Sequence, residues 1–81
     1  MTIRVLLFAS FRELVGESRL DLDVPEGCTA DDVFRMLEGR HPGLSALRDF
    51  TTFAVNRAVV GAGTTLQAGD ELAFLQPVSG G

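Results

Sequence analysis

The sequence predicts an α+β fold, a mixed sheet with one main helix laid over it and a short helix after the first strand. Three observations carry this. Residues 2–8 and 71–75 are apolar on both sides of an extended chain, as strands in the middle of a sheet are. Residues 30–40 carry apolar side chains at helical spacing, between a capping Thr29 and a His41-Pro42-Gly43 stop. The other apolar segments are short or strictly alternating and bounded by turn residues, which marks them as lesser strands.

In the first strand Ile3, Val5 and Leu7 share one face, while Leu6 and Phe8 make the other mostly apolar. Such a strand is expected to have cover on both faces, at least in part. Residues 10–16 read as one or two helical turns, with Ser10 as cap, Glu13 three residues on and Gly16 as the stop. Phe11, Leu14 and Val15 have the spacing that docks such a helix. Residues 19–24 alternate, with Leu20, Leu22 and Val24 inward and Arg19, Asp21 and Asp23 outward, so this strand lies nearer an edge.

In the main helix Asp31 and Asp32 sit at the positive first turn and Arg40 near the negative end. Ala30, Val33, Phe34, Met36 and Leu37 are its expected buried stripe. Leu44 and Leu47 then predict an ordered, partly buried connection. Phe53-Ala54-Val55, a turn at Asn56-Arg57 and Ala58-Val59-Val60 follow, and Gly69-Asp70 turns the chain into the last strand. With the first and last strands parallel at the sheet centre and a right-handed crossover through the helix, this order gives the β-grasp arrangement. Ferredoxin-like variants share the same element types.

With 81 residues the chain is expected to form one domain, residues 1–81, ending in a flexible tail, residues 76–81. The 46% hydrophobic and 22% charged fractions describe a globular domain rather than a disordered one. The formal charge of −4, without a basic cluster, argues against nucleic acid as a partner. No apolar run approaches the roughly 20 residues of a membrane span and no signal-peptide pattern is present, so a cytoplasmic address is expected. All seven cations are Arg, so no side-chain amine can accept an isopeptide bond.

Side-chain chemistry is sparse. One Cys and one His, far apart in sequence, exclude a disulfide framework, an all-Cys zinc site and a four-Cys iron–sulfur cluster, and no metal site is expected. Cys28 precedes a helix start, where the dipole lowers a thiol pKa, but a small filler side chain is the plainer reading. His41 reads as a solvated or capping imidazole, and Asp21 with Asp23 as a solvated strand face. Arg12-Glu13 reads as a surface ion pair or as a polar rim beside an apolar interface.

The carboxyl end differs. Val78-Ser79-Gly80-Gly81 closes the chain directly after the last strand. At 9 Gly in 81 residues, two given positions are both Gly about once in 80, so the pair alone is a modest signal and a frayed end is the plainer reading. Mechanically it offers more. Glycines thread a narrow channel, Pro77 restricts the start of the tail, and the α-carboxylate delivered is ionised at pH 7. Joined to AMP, that carboxylate becomes an acyl donor, and attack by sulfide leaves a terminal thiocarboxylate.

Residues Val5-Leu6-Leu7-Phe8-Ala9-Ser10-Phe11-Arg12-Glu13-Leu14-Val15-Gly16 resemble the small sulfur-carrier subunit of molybdopterin synthase, whose apolar first strand runs into an aromatic-Ala-x-x-Arg-Glu-x-x-Gly turn. The resemblance resumes at Val55-Asn56 and is strongest from Gly69 through Gln76-Pro77-Val78-Ser79-Gly80-Gly81. It implies a ubiquitin-like β-grasp fold and a Gly81 that an ATP-dependent, ubiquitin-activating-type adenylyltransferase adenylates before conversion to thiocarboxylate. It also implies that Pro77, Val78, Ser79 and Gly80 thread the active site of a large catalytic subunit, in a heterotetramer, to give sulfur to cyclic pyranopterin monophosphate. On this pattern the chain binds no cofactor and is not catalytic alone. Phe8, Arg12, Val59, Phe74 and Leu75 fall where the family has residues that contact or support the partner. Two departures stand out: Gln76-Pro77 replaces a common pair of prolines, and Leu75 replaces a common aromatic. A sulfur carrier for thiamine thiazole or cysteine synthesis, a protein modifier and a β-grasp adaptor are the alternatives.

Overall fold

In the computed structural model, which describes residues 1–76, the strands are β1 (Thr2–Leu7), β2 (Arg19–Asp23), β3 (Thr52–Val55), β4 (Ala58–Val60) and β5 (Glu71–Leu75). They form one sheet in the order β2-β1-β5-β3-β4. The two strands apolar on both faces, β1 and β5, lie parallel at its centre, and the other pairings are antiparallel. Helices α1 (Ala9–Val15) and α2 (Ala30–Arg40) and a 3₁₀ helix (Pro42–Phe50) complete the β-grasp architecture.

Register explains which face the helices cover. Val5 lies opposite Leu72, Leu7 opposite Phe74, and Phe74 opposite Phe53, so these side chains share the inner face. Val33, Phe34 and Leu37 of α2 are buried in the same apolar cluster, with Phe11 of α1 and Leu44 of the 3₁₀ helix. Phe74 is its centre, with ring centroids 5.3 Å from Phe34, 5.5 Å from Phe53 and 5.8 Å from Phe11. The edge-on packing with Phe11 and Phe53 suits the charge distribution of aromatic rings.

The main helix starts and stops where its sequence says. The Thr29 hydroxyl accepts from the Asp32 N–H at 3.1 Å, and the Asp32 carboxylate accepts from the Thr29 N–H at 3.0 Å, a complete capping box. Arg48 of the 3₁₀ helix ties that segment to α2, donating to Asp31 and Glu38 at 2.9 Å each, with its guanidinium 4.9 Å from the Phe34 ring centre. Hence the connection after α2 is ordered, as Leu44 and Leu47 imply.

Five local expectations are corrected. Helix α1 begins at Ala9 with Phe8 at its cap, so Ser10 lies inside the helix and caps nothing. The reason is a backbone turn: Ala9 has φ 47°, and the Phe8 carbonyl accepts from the N–H of Phe11 at 3.0 Å, a start that needs no side chain. Phe8 therefore stands outside β1 rather than within it. Leu14 does not dock on the core; it is exposed along α1, and its Cδ2 lies 2.9 Å from where a Cβ on Gly43 would stand. Met36 is only partly buried against the core. Finally, the outer face lacks the expected partial cover: the helices bury the inner residues, while Leu6, Ala73 and Leu75 of the central strands stay partly exposed.

Candidate functional site

That outer face is apolar at one end and polar at the other. Cross-strand register sets Leu6 opposite Ala73, Ala73 opposite Ala54 and Ala54 opposite Val59, an apolar row spanning four strands. One step along the sheet, Leu75 lies opposite Thr52. Towards the other end the same face turns polar, with Arg4 opposite Glu71 and Arg4 Nε donating to Asp21 at 3.1 Å. The apolar end is the one from which β5 runs into Gln76 and the carboxyl-terminal residues. Apolar centre and polar surround are the usual anatomy of a protein interface.

Four of the five side chains expected at a partner surface stand at or near this face. Phe8, one residue past the Leu7–Phe74 pair, is 48% exposed, and Val59 is 72% exposed. Leu75 is partly exposed, and Arg12 projects from α1 beside Phe8 along an open groove that Glu17 and Arg19 also line. Phe74 is fully buried, so its side chain supports the surface from beneath and reaches nothing outside. Pro77, Val78, Ser79, Gly80 and Gly81 lie outside the described residues.

Arg12 and Glu13 form no ion pair among the described residues. Cys28 is buried, and burial, with the Asp32 carboxylate second, pushes its thiol pKa up, so the helix start does not activate it. Asp21 is tied up with Arg4, and Asp23 lies 3.4 Å from the amino terminus. Among the described residues no three His, Cys, Asp or Glu side chains cluster to hold a metal ion, and no helix is long and apolar enough to cross a membrane. Sequence reasoning missed that Leu6, Ala73 and the buried Ala54 between Ala73 and Val59 lie in one row on the outer face; only strand order joins them. It also missed Phe50, 60% exposed at the end of the 3₁₀ helix.

Comparison with known proteins decides the family. The model of the ThiS family matches residues 5–81. The chain belongs to the ThiS family. Within that relationship it is 38% identical to the human molybdopterin synthase sulfur carrier subunit, over 98% of this chain and 93% of the human one. It is also similar to the crystal structure of small archaeal modifier protein 1 from Haloferax volcanii, with a TM-score of 0.82 and 30% identity over 95% of this chain and 98% of that one. In a complex of subunits 1 and 2 of the molybdopterin-converting factor from Helicobacter pylori, one chain matches at a TM-score of 0.70 and 22% identity over 100% of both, a likeness of fold. The ThiS-family chain thus shares the ubiquitin-like β-grasp fold and is related to sulfur carrier subunits over its whole length.

Proposed function

We propose that this chain is the sulfur carrier of a molybdopterin synthase and that the α-carboxylate of Gly81 is its reactive group. The observation that carries this is the 38% identity to a sulfur carrier subunit over nearly all of both chains. It is supported by a family match that runs through Gly80-Gly81. An ATP-dependent adenylyltransferase of the ubiquitin-activating type joins the Gly81 carboxylate to AMP and releases pyrophosphate. A sulfide sulfur then displaces AMP and leaves a thiocarboxylate.

In this reading Pro77, Val78, Ser79 and Gly80 are the arm that carries the thiocarboxylate into the large catalytic subunit. There it gives its sulfur to cyclic pyranopterin monophosphate, and water restores the carboxylate. The outer face with Phe8, Leu75, Val59 and the rim residue Arg12 docks on that subunit, while Phe74 holds the strand beneath. The complex recorded for the Helicobacter pylori subunits supports a two-subunit assembly, for which two carriers on a large-subunit dimer is the expected form. The chain itself contributes no catalytic side chain and no bound cofactor, and the pathway is cytoplasmic.

Incubation with ATP, the cognate activating enzyme and a sulfur source is expected to exchange one terminal oxygen for sulfur, read by intact-mass spectrometry. An unchanged mass would reject the carrier reading. Adding the large subunit and the pyranopterin substrate should then give a dithiolene product and return the carrier to its starting mass. The 35% identity to small archaeal modifier protein 1 favours one second reading, in which the activated terminus is joined to a lysine of another protein. Covalent adducts in cell extract, with no dithiolene formed, would select it.

A further inference from the structure

We infer that the groove between α1 and the start of β2 receives an acidic side chain of the protein that takes the tail, and that Arg19 recognises it together with Arg12. The walls are fixed by backbone. Gly16, at φ 90°, ends α1 with its N–H donating to the Arg12 carbonyl at 2.7 Å. The returning chain is then held where the Leu7 N–H donates to the Ser18 carbonyl at 2.9 Å, which sets Arg19 opposite Leu6 on the outer face. Leu6, Phe8, Arg12, Glu17 and Arg19 line the space between.

Charge selects the occupant. The chain carries eleven acidic residues against seven Arg, yet this groove holds two cations and one anion. Among the described residues Arg4, Arg35 and Arg48 have carboxylate partners within 4 Å, whereas Arg12, Arg19, Arg40 and Arg57 have none, and of these four only Arg12 and Arg19 line this groove. A guanidinium binds a carboxylate through two parallel hydrogen bonds, so paired arginines beside an apolar patch suit an acidic rim residue better than any other side chain. Docking of the patch removes water from that rim and strengthens the attraction, while a basic residue there is repelled. The partner's chemistry thus follows from a local reversal of the chain's overall charge.

The inference rests on the large-subunit partnership proposed above, and the test separates the two. Binding of the full chain to the large subunit is measured by calorimetry at low and high NaCl, for wild type, Arg19→Gln, Arg19→Glu and the control Arg40→Glu. Arg40 is exposed at the end of α2 and makes the same change in net charge away from the groove. Arg19→Glu is expected to weaken binding about tenfold at low salt and to flatten its salt dependence, with Arg19→Gln between and Arg40→Glu within about twofold of wild type. Equal effects of Arg19→Glu and Arg40→Glu, in variants with native circular dichroism, would overturn the inference. Binding of ATP to the isolated chain that Arg19→Glu abolishes would assign the groove to phosphate and also overturn it. A wild-type chain that fails to bind the large subunit at all overturns the partnership, and the inference with it.

Discussion

The ring of Phe74 meets the ring of Phe11 edge to face, with centroids 5.8 Å apart, so the last strand is locked to the short helix that follows the first. Phe74 also packs against Phe34 of α2 and Phe53 of β3, so one ring joins both helices to the neighbouring strand. Truncating a buried Phe costs about 3–5 kcal/mol, against a total stability of about 4–12 kcal/mol for a domain of this length. Phe74→Ala is therefore expected to unfold much of the population at 37 °C. Phe74→Leu should lower the melting temperature while leaving the affinity of the folded chain for its partner unchanged. A Phe74→Leu variant that melts like wild type but binds more weakly would show that the ring contacts the partner after all.

Two carboxylates on α2 contribute to the acid sensitivity of the fold. Hydrogen bonds from Arg48, then Ser45, hold the Glu38 carboxyl below its usual pKa, and the Thr29 backbone N–H, then its hydroxyl, does the same for Asp32. Both groups are easier to protonate in the unfolded chain. Their contribution is thus present above the unfolded pKa values, about 4, and is lost as the pH falls through the lower folded ones. Thermal melts should be level near neutral pH and decline below about pH 4. Arg48→Met should melt several degrees lower than wild type at pH 7, with the gap narrowing in acid. A gap of constant size across that range would mean that Arg48 acts through its packing on Phe34 alone.

How far the sequence reveals this depends on whether a feature is local. Thr29 with Asp32, the alternation of Leu20 and Leu22, and the double-faced strands each depend on near neighbours, and each appears as expected. Ser10 fails because the Phe8 carbonyl starts the helix by a backbone turn that no side-chain pattern marks. Phe8 and Phe74 look alike in sequence, aromatics at the ends of apolar strands; only the register, which sets Phe74 towards the helices, separates an exposed ring from a core one. The row from Leu6 to Val59 is legible in no single segment, because its four residues come from four strands.

The β3–β4 turn is a place where the sequence departs from what the backbone asks. Val55 pairs with Ala58 across a two-residue loop, and both loop residues have positive φ, 50° at Asn56 and 74° at Arg57. Asn tolerates this region, and its side chain is also fixed by the Asp70 carboxylate and the Glu71 N–H at 3.0 Å each. Arg57 has no such excuse, since a Cβ costs about 1–2 kcal/mol there, part of which glycine returns through its freer unfolded chain. Arg57→Gly is expected to stabilise the fold by about 0.5 kcal/mol, or about 2–4 °C in melting temperature. A lower melting temperature would show that the Arg57 side chain makes a stabilising contact that outweighs the strain.

Val59 offers the cleanest separation of folding from docking. It lies on the edge strand β4, 72% exposed, at the far end of the apolar row that begins at Leu6. A charge there meets water in the free chain, so Val59→Asp should change stability by no more than about 0.5 kcal/mol. In a complex that covers the outer face, the same carboxylate is stripped of water against an apolar surface with no partner group supplied for it. Affinity for the large subunit should then fall about tenfold or more, chiefly through faster dissociation, while adenylation by an enzyme that grips only the tail is unaffected. Val59→Ala, which removes two methyl groups without adding charge, should cost far less. If Val59→Asp binds as tightly as wild type, the partner does not reach β4, and the docking surface contracts to the strands around Phe8 and Leu75.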